Sequence, residues 1–245
     1  MFAHGFGCDQ SMWRHVWPAF EADRKVILFD YPGAGHVPIP EFDFDRYRTL
    51  DGYAADVVAI CDALEVDGVD FVGHSVSGMI GLLASIRRPE LFNSLVLIGP
   101  SPRYLNDDGY VGGFDRSDIE ALLDAMDSNY LGWSNGIAPV IMGNPDRPEL
   151  GDELATTFCR ADPAISRHFA KVTFLSDNRE DLGKVTVPSV ILQCSDDVIA
   201  PAAVGDYVLQ HLADSSLVQL AATGHCPNLS SPTETVEAIR AYLAA

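Results

Sequence analysis

The stretch Val69-Asp70-Phe71-Val72-Gly73-His74-Ser75-Val76-Ser77-Gly78-Met79 passes from a β-branched and aromatic segment directly into a helical one, with no loop residues between. A serine at such a corner is held in a strained backbone conformation. The residues two before and two after it must therefore be small, and Gly73 and Ser77 meet that need. This is the setting of a nucleophile elbow, in which a strand delivers the serine hydroxyl to the end of a sheet and a helix carries the chain away. The usual pattern has glycine where this chain has Ser77, a departure small enough to keep the turn. Ser75 is the candidate nucleophile.

Outward from this corner, short apolar runs alternate with segments of helical period, the pattern of strands and crossover helices in a mainly parallel sheet. Strands are expected at 1–3, 26–29, 69–72, 95–98, 190–193 and 217–220, and helices at 53–64, 76–87, 202–211 and 232–243. Proline punctuates the helices: Pro89 follows the second and Pro232 opens the last. From 102 to about 185 no strand is expected, only amphipathic pieces interrupted by Pro139, Pro145, Pro148 and Pro163, which predicts an inserted helical cap. Most of its apolar side chains (Leu122, Met126, Tyr130, Trp133, Phe158 and Phe174 among them) are expected to pack the cap, and a few to line a ligand cavity. At 245 residues, without repeats or flexible linkers, the chain is read as one domain spanning 1–245, with the cap at 102–185 inside it.

A serine hydroxyl needs a histidine base within hydrogen-bond reach and a carboxylate to orient that base. In a strand-turn-helix nucleophile fold the chain order is Ser, Asp or Glu, then His. Of the seven histidines (His4, His15, His36, His74, His168, His211 and His225) only the last three follow Ser75. His225 falls in a loop between the last expected strand and the last helix, where the base belongs; His168 lies in the cap and His211 at a helix end. Asp196 and Asp197 both follow the strand at 190–193, at a carboxyl end where active sites of α/β sheets collect, and one residue of slip decides between them. Two backbone N–H groups are needed for the developing alkoxide: Val76, after the nucleophile, and Phe6 in His4-Gly5-Phe6-Gly7. The expected architecture is therefore an α/β-hydrolase fold, a mostly parallel sheet flanked by helices and carrying a helical cap. Dehalogenases and epoxide hydrolases of this fold use an aspartate where this chain has Ser75, which excludes their chemistry.

Composition narrows the partners. With 35 acidic against 16 basic side chains the net charge is −19, which disfavours nucleic acid and anionic membranes because phosphate contacts need cations. Cys8, Cys61, Cys159, Cys194 and Cys226 are an odd, scattered set with no C-x-x-C pair. Neither a disulfide framework nor a metal site is expected, no cofactor is called for, and a reducing cytoplasm fits. Cys8 and Cys226 share the loops of Phe6 and His225 and read as small packing residues. No apolar run approaches the roughly 20 residues that span a bilayer, and no basic leader precedes one.

Four segments together resemble a known family: His4-Gly5-Phe6-Gly7-Cys8-Asp9-Gln10-Ser11 with Trp13; Gly73-His74-Ser75-Val76-Ser77; Ser176-Asp177-Asn178-Arg179-Glu180-Asp181-Leu182 with Val187-Pro188; and Gly224-His225-Cys226-Pro227-Asn228-Leu229-Ser230. The chain is similar throughout to the RsbQ-type bacterial stress regulators and their plant relatives, the strigolactone and karrikin receptors. The resemblance implies that Asp197 is the triad acid and that a four-helix cap covers a hydrophobic cavity for a small apolar or lactone-like ligand. For the bacterial branch it implies a PAS-domain phosphatase as partner, in activation of the general stress sigma factor. Proteins of this fold usually carry a strand pair ahead of the His-Gly strand, and this chain starts three residues before that motif, so an N-terminal strand pair is expected to be missing. The functions left open are a serine hydrolase of small esters or lactones, a ligand-binding signalling protein with little turnover, and a carbon–carbon bond hydrolase or perhydrolase sharing the triad.

Overall fold

The computed structural model describes residues 1–35 and 41–244; His36 of the histidine set lies outside them. Five parallel strands form one sheet in the order β1 (Phe2–Ala3), β2 (Val69–His74), β3 (Phe92–Ile98), β4 (Ser189–Gln193) and β5 (Ser215–Gln219). The expected strand at 26–29 is reduced to a single parallel bridge, Phe2 to Leu28. Its neighbour β1 is two residues long, which leaves little ladder to pair with. The other expected strands are present with ends shifted by a few residues, and β3 begins three residues earlier, at Phe92.

Crossover helices connect the strands as parallel pairing requires. α1 (Leu50–Ala63) precedes β2, α2 (Val76–Arg87) joins β2 to β3, and α2 is buried continuously from Val76 to Ser85. The central strands β2, β3 and β4 are apolar on both faces because helices cover both, and Leu95, Val96, Leu97 and Ile98 are all fully buried. The β3–β4 connection carries the cap: α3 (Arg116–Ser128), α4 (Tyr130–Met142), α5 (Pro148–Phe158) and α6 (Pro163–Phe174), followed by the short α7 (Arg179–Leu182). Of the four prolines that interrupt the cap sequence two start helices, while Pro139 lies inside α4 and Pro145 between α4 and α5. Pro148 and Pro163 take first-turn positions, where a missing N–H costs nothing, and Asp162 caps α6 by accepting from the N–H groups of Ala164 and Ile165. The domain closes with α8 (Ala202–His211), α9 (Pro227–Ser230) and α10 (Pro232–Leu243).

Candidate active site

The chain turns from β2 into α2 on one residue, Ser75, whose φ of 57° and ψ of −125° lie outside the regions that non-glycine residues favour. Room for the turn comes from Gly73. A Cβ there would stand 2.5 Å from the carbonyl oxygen of Ser77, so any larger residue would push strand and helix apart. The loop after β4 brings Asp197, and the loop after β5 brings His225, to the same end of the sheet.

These three side chains meet. The Ser75 hydroxyl donates to His225 Nε2 at 2.7 Å, and His225 Nδ1–H donates to Asp197 Oδ2 at 2.7 Å. All three are buried, with the Asp197 side chain wholly so. Its other oxygen accepts from the backbone N–H groups of Ile199 and Ala200 at 2.8 and 3.0 Å. Burial alone raises a carboxyl, but His225 and these two N–H groups outweigh it and hold Asp197 below its ordinary value, so it stays an anion. Asp196 is exposed, its backbone bridging to Thr223. Of the two aspartates, Asp197 is the one that is buried and bonded to His225.

Phe6 lies in the loop after β1, and its residue lines the cavity above Ser75 while its ring packs among Trp133, Phe158, Phe169 and Phe174. Val76 opens α2, where a backbone N–H has no acceptor within its own helix. His168 Nε2–H donates to the Tyr47 carbonyl, and His211 stacks on Tyr207 at the end of α8; neither contacts the serine. Cys8 and Cys226 do line the cavity, but burial pushes both thiols up, which keeps them protonated and unreactive.

Three further residues shape the site. His74 Nε2–H donates to the backbone carbonyl of His225 at 2.7 Å, and burial together with the neighbouring His225 lowers its own pKa to about 3, so it serves as a neutral strut. Ser77, fully buried, donates to the carbonyl oxygen of His4 and accepts from the Tyr31 hydroxyl at 2.9 Å, which ties the elbow to the loop that carries Phe6. Tyr104, buried on the chain leaving β3, places its hydroxyl 3.4 Å from Ser75 Oγ. In sequence Ser77 is legible only as a small residue, and His74 and Tyr104 carry no role. For Tyr104 a signal existed, because it follows the carboxyl end of a central strand.

The cavity is narrow, ≈ 30 Å³, and walled by Phe6, Ile141, Leu154, Phe158, Phe174 and Ile199. Larger clefts of ≈ 280 and ≈ 560 Å³ lie away from Ser75, one beside Met1 and Val69 and one between α1 and α6. Of these three, the narrow cavity is the one lined by Ser75 and His225. Among the described residues, no helix is long and apolar enough to cross a membrane.

A parallel sheet with a strained serine between strand and helix, and an aspartate and a histidine bonded in line with it from beyond the last two strands, is the arrangement of an α/β-hydrolase. The chain belongs to the alpha/beta hydrolase family, whose model matches residues 1–238. It is 48% identical over 235 residues to "Strigolactone esterase RMS3" of Pisum sativum, covering 95% of this chain and 88% of that protein. It is 43% identical to "Karrikin insensitive 2 receptor CA" of Petunia hybrida, covering 99% and 90% of the two chains. Among solved structures, a hydrolase from Oleispira antarctica superposes with a TM-score of 0.96 at 40% identity, covering 99% of this chain and 89% of that one.

Proposed function

We propose that this chain is a serine hydrolase of small, hydrophobic carboxylic esters or lactones, with Ser75 as nucleophile, His225 as general base and acid, and Asp197 as the orienting carboxylate. The observation that carries the reading is the unbroken relay from Ser75 Oγ through His225 to Asp197, with both contacts at 2.7 Å. As Ser75 Oγ attacks the carbonyl carbon, its proton passes to His225 Nε2, and the imidazolium is stabilised by buried Asp197. The alkoxide formed on the carbonyl oxygen takes hydrogen bonds from the N–H groups of Phe6 and Val76. When it collapses, the proton on His225 goes to the departing alcohol oxygen, and a water activated by the same histidine cleaves the acyl-serine. No cofactor enters this scheme. The aromatic and aliphatic walls favour apolar substrates, and the esterase names of the relatives support the class.

Intact-protein mass spectrometry after exposure to short-chain aryl esters and butenolides tests it. An adduct on Ser75, lost in Ser75→Ala, is expected. Hydrolysis that survives Ser75→Ala would sink the assignment, and cleavage of a diketone rather than any ester would move it to the carbon–carbon bond hydrolases.

A signalling role is the second reading, supported by relatives named as receptors. In it, turnover is slow and the output is a cytoplasmic protein contact, for which the RsbQ likeness puts forward a PAS-domain phosphatase. Calorimetry with such a phosphatase, with and without ligand, checks it; no ligand-dependent binding would leave the enzyme reading alone.

A further inference from the structure

Inside the apolar cavity the polar atoms can be accounted for one by one. Ser75 and His225 bond each other, and the Tyr104 hydroxyl is turned to Ser75 Oγ at 3.4 Å. His74 spends Nε2–H on the His225 carbonyl, and its Nδ1 faces the backbone of Gly5, where an added Cβ would stand 2.6 Å away. Two polar atoms of the lining have no hydrogen-bond partner among the described residues: His74 Nδ1, enclosed against Gly5, and Oγ1 of Thr173 on α6, which is 1% exposed.

A threonine inside a helix has a ready partner in the carbonyl four residues back. In the same cap, Ser134 bonds to Tyr130, Thr156 to Asp152 and Thr157 to Glu153 in this way. Thr173 does not take the equivalent bond to Phe169. A buried hydroxyl without a partner is a net cost that the isosteric valine would avoid, so its presence calls for something else to bond it. What enters this cavity is the ligand.

We propose that Thr173 is a specificity-determining residue whose hydroxyl donates to a second oxygen of the substrate, beyond the carbonyl attacked by Ser75. The inference deepens the hydrolase reading and rests on it for the position of the scissile bond. Esters and lactones offer acceptors only, so the hydroxyl acts as donor. The substrate class is then narrowed to small esters or lactones bearing an ether, ring or carbonyl oxygen in the part held against α6. A purely hydrocarbon group there would leave the hydroxyl buried and unpaired.

Matched pairs that exchange one CH₂ for oxygen test this: 4-nitrophenyl butanoate and methoxyacetate, 4-nitrophenyl pentanoate and 3-methoxypropanoate, and butyl and 2-methoxyethyl acetate. Comparing wild type with Thr173→Val cancels the intrinsic reactivity of each ester. In at least one pair the oxygen-for-methylene preference in kcat/KM should fall about 5- to 10-fold in the variant, the effect of one neutral hydrogen bond. The melting midpoint of Thr173→Val should equal or exceed that of wild type. Unchanged preferences in all three pairs, or a lowered midpoint, which would mark the hydroxyl as a structural group, would overturn the proposal. The same affinity ratios measured by calorimetry in Ser75→Ala and Ser75→Ala/Thr173→Val need no turnover. If the wild type cleaves none of the esters, the hydrolase reading fails while these ratios still decide the role of Thr173.

Discussion

Ser75 carries a backbone strain that only the surrounding contacts can hold, with φ at 57°. The serine and the histidine could be placed from chain order and strand ends, and the acid narrowed to Asp196 or Asp197, because each follows the carboxyl end of a strand. Their mutual hydrogen bonds could not. Ser77 illustrates the difference: small size was legible, whereas its link between the His4 carbonyl and the Tyr31 hydroxyl depends on which loop packs over the elbow. Ser77→Ala should lower kcat about 10-fold with KM little changed, since a loosened donor loop weakens the bond to the alkoxide more than substrate binding. A variant whose KM rises while kcat holds would contradict this role. For the triad, Asp197→Asn should reduce kcat by roughly 10³ to 10⁴, because the amide favours the wrong tautomer of His225. Steady-state kinetics on one aryl ester measures both effects.

At the scale of elements, the end of α4 is seated on the loop that holds the base. The backbone N–H of His225 donates to the Ile141 carbonyl at 2.9 Å, and Arg147 reaches the Ser230 carbonyl at 2.8 Å. Gly224 permits this contact: its φ is +77°, and a Cβ would stand 1.8 Å from the Met142 carbonyl oxygen. Gly224→Ala should therefore lower stability by about 1–3 kcal/mol through overpacking and backbone strain, and reduce kcat with it because His225 must shift. Thermal melts beside kinetics check the pairing; a melt unchanged from wild type would show that the seam yields without cost. A strand-free, proline-broken stretch before β4 was readable. The docking of its helices was not, because backbone bonds between α4 and the loop after β5 leave no periodic trace in either segment.

Taken whole, the molecule buries histidines in neutral form, which makes its stability depend on pH. His74 has its pKa lowered to about 3 in the folded chain by burial first and by His225 next, against about 6.5 when unfolded. The folded pKa is the lower one. Its contribution is complete above about pH 6.5 and is lost as the pH falls towards 3, because only the unfolded chain then takes up the proton. His4, also lowered by burial, acts with the same sign, and Asp197, lowered by its partners against burial, adds a further loss at the acid end of the range. Urea unfolding at pH 7.5 and 5.5 should show a drop in stability, and His74→Gln should lose about 1.4 kcal/mol less across that interval. Equal losses in the two proteins would mean that His74 is not held neutral. The net charge of −19 adds self-repulsion, so moderate salt should raise the midpoint at pH 7.5.

By itself the sequence pointed to the alternation of strands and helices, the elbow at Ser75, a histidine loop at His225 and a strand-free stretch before β4, because each is a local pattern of size, period or turn chemistry. It left Asp196 and Asp197 equivalent until the family resemblance chose between them, it offered for Tyr104 only its place after the carboxyl end of a central strand, and it had no means of finding Thr173 as a cavity residue. Tertiary structure decided those points. Burial, the N–H groups of Ile199 and Ala200, and His225 single out Asp197, and folding α6 over the sheet end carries Thr173 to the cavity of Ser75 from 98 residues away in the chain. The physical reason is range: hydrophobic period and turn propensity act over a few residues, whereas the pairing or orphaning of a buried polar group depends on everything packed around it.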